Sequence, residues 1–185
     1  SAACKIMRGM YPDLPLVGIE PAVKPAAQNH RGEKVAVMAT PLTLHEEKFK
    51  QLVKRYENLA TIIPVPCPDL VEYVEKGILE GPELEGYLKD VLKPCLQEGV
   101  KAVVLGCTHF PLVKAAIGKV VGESVRIYDG GEGTARQAKC LLAAKNLCTD
   151  QEKGHICFES SAPEKEAYYE ALYRKAAHID SRVKL

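Results

Sequence analysis

Apolar residues along this chain fall into two kinds of run that alternate. KVAVMA (34–39) and KAVVLG (101–106) are unbroken apolar stretches of strand length, as expected of strands buried on both faces of a parallel sheet. LVGIE (16–20), TIIPVPCP (61–68), VRIYD (125–129) and HICFE (155–159) have the same length and predict further strands. Between them the period changes to that of a helix. Phe49, Leu52, Val53 and Tyr56 share one face, after a capping box of Thr43 and Glu46. Asp69 with Glu72 starts a helix that Gly77 stops, and Pro82 opens a longer one through Leu88, Leu92 and Leu96 to Gly99. Helices are also expected over 22–29, from the CTHF segment to about Val121, after the glycines of DGGEG, and over PEKEAYYEALYRKAAHI. SAACKIMRGMY reads as helix from its first letter, without a cap or an initiating Met. Strands alternating with helices predict an α/β fold with largely parallel sheets.

Composition narrows the function classes. With 46% hydrophobic and 26% charged residues and a formal net charge of +1, the 185-residue chain has no basic stripe for nucleic acid and no charge bias toward a membrane surface. No apolar run approaches the roughly 18 residues of a transmembrane helix. Seven cysteines at irregular spacing, without an export signal, read as free thiols in a reducing cytoplasm.

Candidate chemistry gathers at strand ends, where open parallel sheets bind ligands. Glu20 follows LVGI, Thr40 and Thr43 follow VAVMA, Cys107, Thr108 and His109 follow KAVVLG, and Asp129 follows VRIY. Gly106 is expected to let the backbone turn, placing Cys107 ahead of a helix N-terminus that favours thiolate over thiol. His109, two residues on, can bond that thiol or a substrate carboxylate. A thiolate so placed is a nucleophile or a proton-transfer base; the plain alternative is a buried cysteine and a histidine capping its turn. A cysteine phosphatase would need Arg six residues after its nucleophile, where Val113 stands, and zinc would want paired ligands such as CxxC. DGGEG (129–133) is neither GxGxxG nor a P-loop. Glu72 and Glu75 lie one helical turn apart on an amphipathic segment, and a solvated face is the ordinary explanation for both.

Taken together, VGIEPAVKPA, VAVMATPLTL, PCPDLVEYVEKG, VLGCTHFPL and YDGGEGTARQAK resemble the motifs of the glutamate racemases, in order and at fitting distances over nearly the whole chain. The resemblance implies interconversion of L- and D-glutamate for peptidoglycan by two facing cysteines, without pyridoxal cofactor or metal. Cys107 would be the second catalytic cysteine, His109 its assistant and Glu75 a supporting catalytic residue. Thr108, His109, Thr40 and Thr43 would bind the substrate. The family's Asp-Ser, Tyr-Gly and Cys-Asn-Thr motifs have no counterpart here, and Asp129-Gly130-Gly131 stands where Asp-Ser-Gly is usual.

The family's two α/β domains map onto this chain as 24–128 for one nearly complete domain, with 1–23 and 129–185 as parts of the other. The expectation is then a fragment of a longer protein, inactive alone, or a homo-oligomer formed through the exposed surface. The expected partner is glutamate, with neither nucleic acid nor membrane. An aspartate or related amino-acid racemase is the near alternative. A non-catalytic racemase-like module that binds an acidic ligand or a protein partner is the distant one.

Overall fold

The alternation within the two apolar runs decides the layers of the fold. In the computed structural model, which describes residues 2–149 and 154–182, the elements in chain order are α1 (Ala2–Met10), α2 (Val23–Asn29), β1 (Lys34–Ala39), α3 (Pro41–His45), α4 (Glu47–Tyr56), β2 (Thr61–Pro66) and α5 (Leu70–Glu75). There follow α6 (Pro82–Gln97), β3 (Ala102–Leu105), a 3-10 turn (Phe110–Val113), α7 (Lys114–Val121), β4 (Arg126–Tyr128), α8 (Gly131–Ala144) and α9 (Glu166–Arg182).

The four strands form one parallel sheet in the order β2-β1-β3-β4. Successive strand residues face opposite ways. Val35, Val37, Ala102 and Val104 pack with Val23, Ala26 and Ala27 of α2 and Phe49 of α4. Ala36, Met38, Val103 and Leu105 pack with Leu84, Leu88 and Leu92 of α6 and Ile117 of α7. The result is a helix–sheet–helix sandwich. With central strands fully buried and paired on both sides, a layer removed from either face would strip most of the apolar area that stabilises the sheet.

The chain divides into two compact units: Pro21–Tyr128 with Phe158–Leu185, which holds the sheet, and Ser1–Glu20 with Asp129–Cys157, whose described elements are α1 and α8. Residues 129–157 thus group with the leading residues, while the C-terminal helix groups with the sheet. α9 joins the sheet-bearing unit because Leu172 and Ala176 are buried in the same core as Leu88 and Phe110.

Two expected strands do not form. Residues 16–20 and 155–159 lie outside regular structure, with Ile19 and Ile156 exposed. A strand exists through a hydrogen-bonded neighbour, and among the described residues no strand pairs with either run. The capping box also shifts. Thr40, not Thr43, caps the helix: its Oγ1 accepts from the Thr43 backbone N–H at 3.3 Å, with Pro41 at the first helical position. Glu46 then leaves the helical region (φ −63°, ψ 136°), so one predicted helix becomes α3 and α4.

Candidate active site

β1 lies between β2 and β3, and the chain leaves it toward opposite edges of the sheet. β2 is reached on one side of β1, while β3 and β4 lie on the other. The carboxyl ends of β1 and β3 therefore flank the point at which the connections diverge, where a crevice opens in sheets of this kind. Met38 pairs with Leu105, and continuing that register by two residues sets Thr40 level with Cys107.

Gly106 makes this junction possible by close approach rather than by an unusual turn. Its N–H donates to the Met38 carbonyl at 2.7 Å, and a Cβ there would meet that same oxygen at 2.7 Å. The chain then turns through Cys107 and Thr108 into a 3-10 turn of four residues, and α7 begins only at Lys114. The expected helix N-terminus therefore lies too far along to act on Cys107, since a helix dipole fades within its first turn.

The side chain that meets the Cys107 thiol is His109. Its Nδ1 lies 3.8 Å from Cys107 Sγ, within sulfur hydrogen-bonding range, while its Nε2 lies 2.9 Å from Glu75 Oε1 at the end of α5. A carboxylate accepts only, so Nε2 carries the proton in the neutral ring and Nδ1 is left as the acceptor for the thiol. The three residues form a line along which the thiol proton can pass to His109 while Glu75 stabilises the resulting imidazolium. Cys107 is half-buried, so the thiol can reach a ligand while remaining near its partner.

The two glutamates of α5 separate cleanly. Glu72 pairs with Lys76 at 3.1 Å with both side chains largely in water, as a solvated face predicts. Glu75 turns to His109 instead. Thr108 is exposed beside them, and Glu75, Thr108, His109 and Leu112 share a pocket of about 270 Å³ with Tyr169, Leu172 and Tyr173 of α9. Thr40 and Thr43 bond each other through their hydroxyls at 3.0 Å. They stand at the neighbouring strand end, outside the Cys107–His109–Glu75 line. Glu20 is exposed in the other unit and follows no strand.

Cys67, just past β2, is the buried counterexample to Cys107. Its N–H donates to the Ala39 carbonyl at 2.9 Å and its thiol to the Val65 carbonyl. Burial pushes that thiol up to about 12, against the direction of its backbone hydrogen bond. A larger groove of about 500 Å³ lies along α3, α4 and the prolines of β2, lined by Leu44, Phe49, Val53, Pro64 and Pro66, and contains none of the candidate residues.

Sequence reasoning gave α9 no role at the site. Tyr168 donates its hydroxyl to the Glu75 carbonyl, and Lys175 Nζ donates to the Gly77 carbonyl at 2.6 Å. The available signal was the spacing of Tyr168, Leu172, Lys175 and Ala176 (i, i+4, i+7, i+8), which is one helical face. Gly130 is explained by its own unit: a Cβ there would lie 3.0 Å from both the Glu20 carbonyl and Ile19 Cγ1, so a serine would not fit without displacement.

Known proteins similar to this chain include glutamate racemases. The chain is 43% identical over 166 residues to the glutamate racemase of Clostridium perfringens (strain ATCC 13124), covering 89% of this chain and 64% of that protein. It is 47% identical over 154 residues to the glutamate racemase of Clostridium kluyveri (strain ATCC 8527), covering 83% and 60%. The chain thus spans less than two thirds of these relatives. Among solved structures, it is similar to Escherichia coli glutamate racemase in complex with L-glutamate and the activator UDP-MurNAc-Ala (TM-score 0.72, 28% identity, 91% of this chain and 65% of that one). It is also similar to the Thermus thermophilus glutamate racemase in complex with β-chloro-D-alanine (TM-score 0.62, 28% identity, 90% and 61%). The Asp/Glu/Hydantoin racemase family matches residues 3–138, a span that holds Thr40, Glu75, Cys107 and His109. That match, across most of the chain's length, makes it a member of the Asp/Glu/Hydantoin racemase family.

Proposed function

We propose that this chain carries one proton-transfer half of a glutamate racemase, with Cys107 as the base that acts on L-glutamate. The observation that carries the reading is the line Cys107–His109–Glu75 at the carboxyl end of β3. An α-proton beside a carboxylate is a very weak acid, so its removal needs a strong base held close and fixed hydrogen bonds to the developing charge. His109 accepts the thiol proton, Glu75 stabilises the imidazolium, and the Cys107 thiolate takes the α-proton from one face. A second thiol must then deliver a proton to the opposite face. We assign it to the portion of the relatives that this chain does not span. Thr108 and the Thr40–Thr43 pair supply hydroxyls for the substrate's charged groups. In a bacterial cell the product would be D-glutamate for peptidoglycan, made in the cytoplasm.

The test is a chimera in which the leading part of the Clostridium perfringens enzyme, up to the start of the match, precedes this chain. The expected result is racemisation of glutamate in D2O with deuterium entering the α-position, and turnover of aspartate far lower. Cys107→Ser should abolish it. A folded chimera that racemises nothing, or a Cys107→Ser variant that retains activity, overturns the assignment.

A further inference from the structure

α5 has only six residues, too few to hold their own C-terminal turn by helix cooperativity. Its last carbonyl and that of Gly77, two residues beyond, both take partners from another helix. Tyr168 hydroxyl reaches the Glu75 carbonyl and Lys175 Nζ the Gly77 carbonyl. The turn itself is closed by Gly77 at φ +69° and by the Ile78 N–H donating to the Tyr73 carbonyl at 2.9 Å. Tyr168 and Lys175 lie two helical turns apart, and Leu172 and Ala176 on the same face are buried in the core. One face of α9 thus anchors itself by its apolar residues and grips the α5 turn by its polar ones. The Tyr168 oxygen lies 3.7 Å from where a Gly77 Cβ would be, so the grip is close. The residue held most directly is the one whose carboxylate meets His109.

We propose that Tyr168, supported by Lys175, is a positioning residue for Cys107. By fixing the α5 C-terminal turn it keeps Glu75 on His109, and so keeps His109 ready to take the thiol proton. The inference rests on the Cys107–His109–Glu75 reading but needs no racemisation for its test.

The experiment follows alkylation of individual cysteines by iodoacetamide between pH 6 and 9 in this chain, peptide by peptide. Cys107 faces His109 on its own loop and Cys67 beside β2; Glu75 meets His109, Tyr169 and Tyr173 line the pocket those two share, and Tyr168 and Lys175 hold the backbone at Glu75 and Gly77. Tyr168→Phe keeps the ring and removes only the donor. It should slow Cys107 at pH 7 by about threefold and move its profile to higher pH, the size of one lost hydrogen bond felt through a neighbour. Glu75→Gln should slow it by about tenfold, roughly one pH unit of profile. Lys175→Met should act in the same direction as Tyr168→Phe. In a Glu75→Gln background, Tyr168→Phe should add nothing, because both act through one contact. Exposed Cys140 is the internal standard, and continued protection of buried Cys67 shows that the fold is intact. A Cys107 profile unmoved by Tyr168→Phe, or slowed equally with Glu75 already replaced, overturns the positioning role. If Glu75→Gln itself changes nothing, the proton line falls, and the positioning role with it.

Discussion

His109 has two ring nitrogens and a partner for each, and that makes Glu75 chemically different from Glu72. Both are glutamates on one short helix, and neither lies deep in the core. Only Glu75 completes a chain to a thiol, at 2.9 Å from Nε2; Glu72 spends its charge on Lys76 in water. An exposed pair of that kind contributes at most about 1 kcal/mol. In the active chimera, Glu72→Gln should therefore leave kcat and KM within about twofold, consistent with that small energy. Glu75→Gln should lower kcat by about 10- to 100-fold with a smaller change in KM, since it removes stabilisation of a charge that forms during proton transfer. Equal losses from the two substitutions would mean that the ion pair with His109 has no catalytic consequence. No spacing rule separates these residues: both follow from the same helix periodicity, and the histidine that chooses between them is 34 positions away.

At the scale of elements, the junction of β3 with its following loop has little tolerance. Gly106→Ala would place a methyl 2.7 Å from the Met38 carbonyl, backbone that cannot swing aside, and would weaken the Gly106-to-Met38 hydrogen bond. The cost should be about 1–3 kcal/mol, seen as a fall in the denaturation midpoint of the sheet-bearing unit. Because Cys107 is the next residue, its alkylation profile should move as well; a variant with unchanged midpoint and profile would remove the close-approach argument. The elements most legible in the sequence were of this buried, self-declaring kind. KVAVMA and KAVVLG became the central strands, since an unbroken apolar run is stable only with both faces covered. The sequence predicts the cap three residues late because Thr40 and Thr43 are the same residue type, and only the geometry of Pro41 and Glu46 tells which hydroxyl accepts from a helix N–H. Local pattern reads Gly106 as a turn residue, whereas the glycine is required by a carbonyl across the sheet, a contact that no local pattern carries.

Across the whole molecule, legibility follows how far each segment's structure depends on distant chain. Within Pro21–Tyr128 the strands and most helices were readable because each element buries its apolar face against near neighbours. LVGIE and HICFE have strand composition but no strand beside them among the described residues, and α9 declares its partner only through four residues on one face. The same burial makes a prediction about alkaline stability. Burial pushes the Cys67 thiol from an ordinary value near 9.0 up to about 12, and the Tyr87 hydroxyl from 10.0 up to about 12. Below pH 9 both groups are protonated whether the unit is folded or not, so their contribution is fully present. Above that the unfolded chain releases these protons while the folded one holds them, so stability falls as pH rises from about 9 toward 12. Cys67→Ser keeps a small donor for the Val65 carbonyl but has no proton to release in this range. Its unfolding free energy should be lower at neutral pH yet decline less steeply above pH 9, by about one proton's worth of slope. Urea unfolding at half-unit pH steps reads this directly. Parallel curves for Cys67→Ser and the parent would show that the thiol ionises alike in both states, and that burial does not hold its proton.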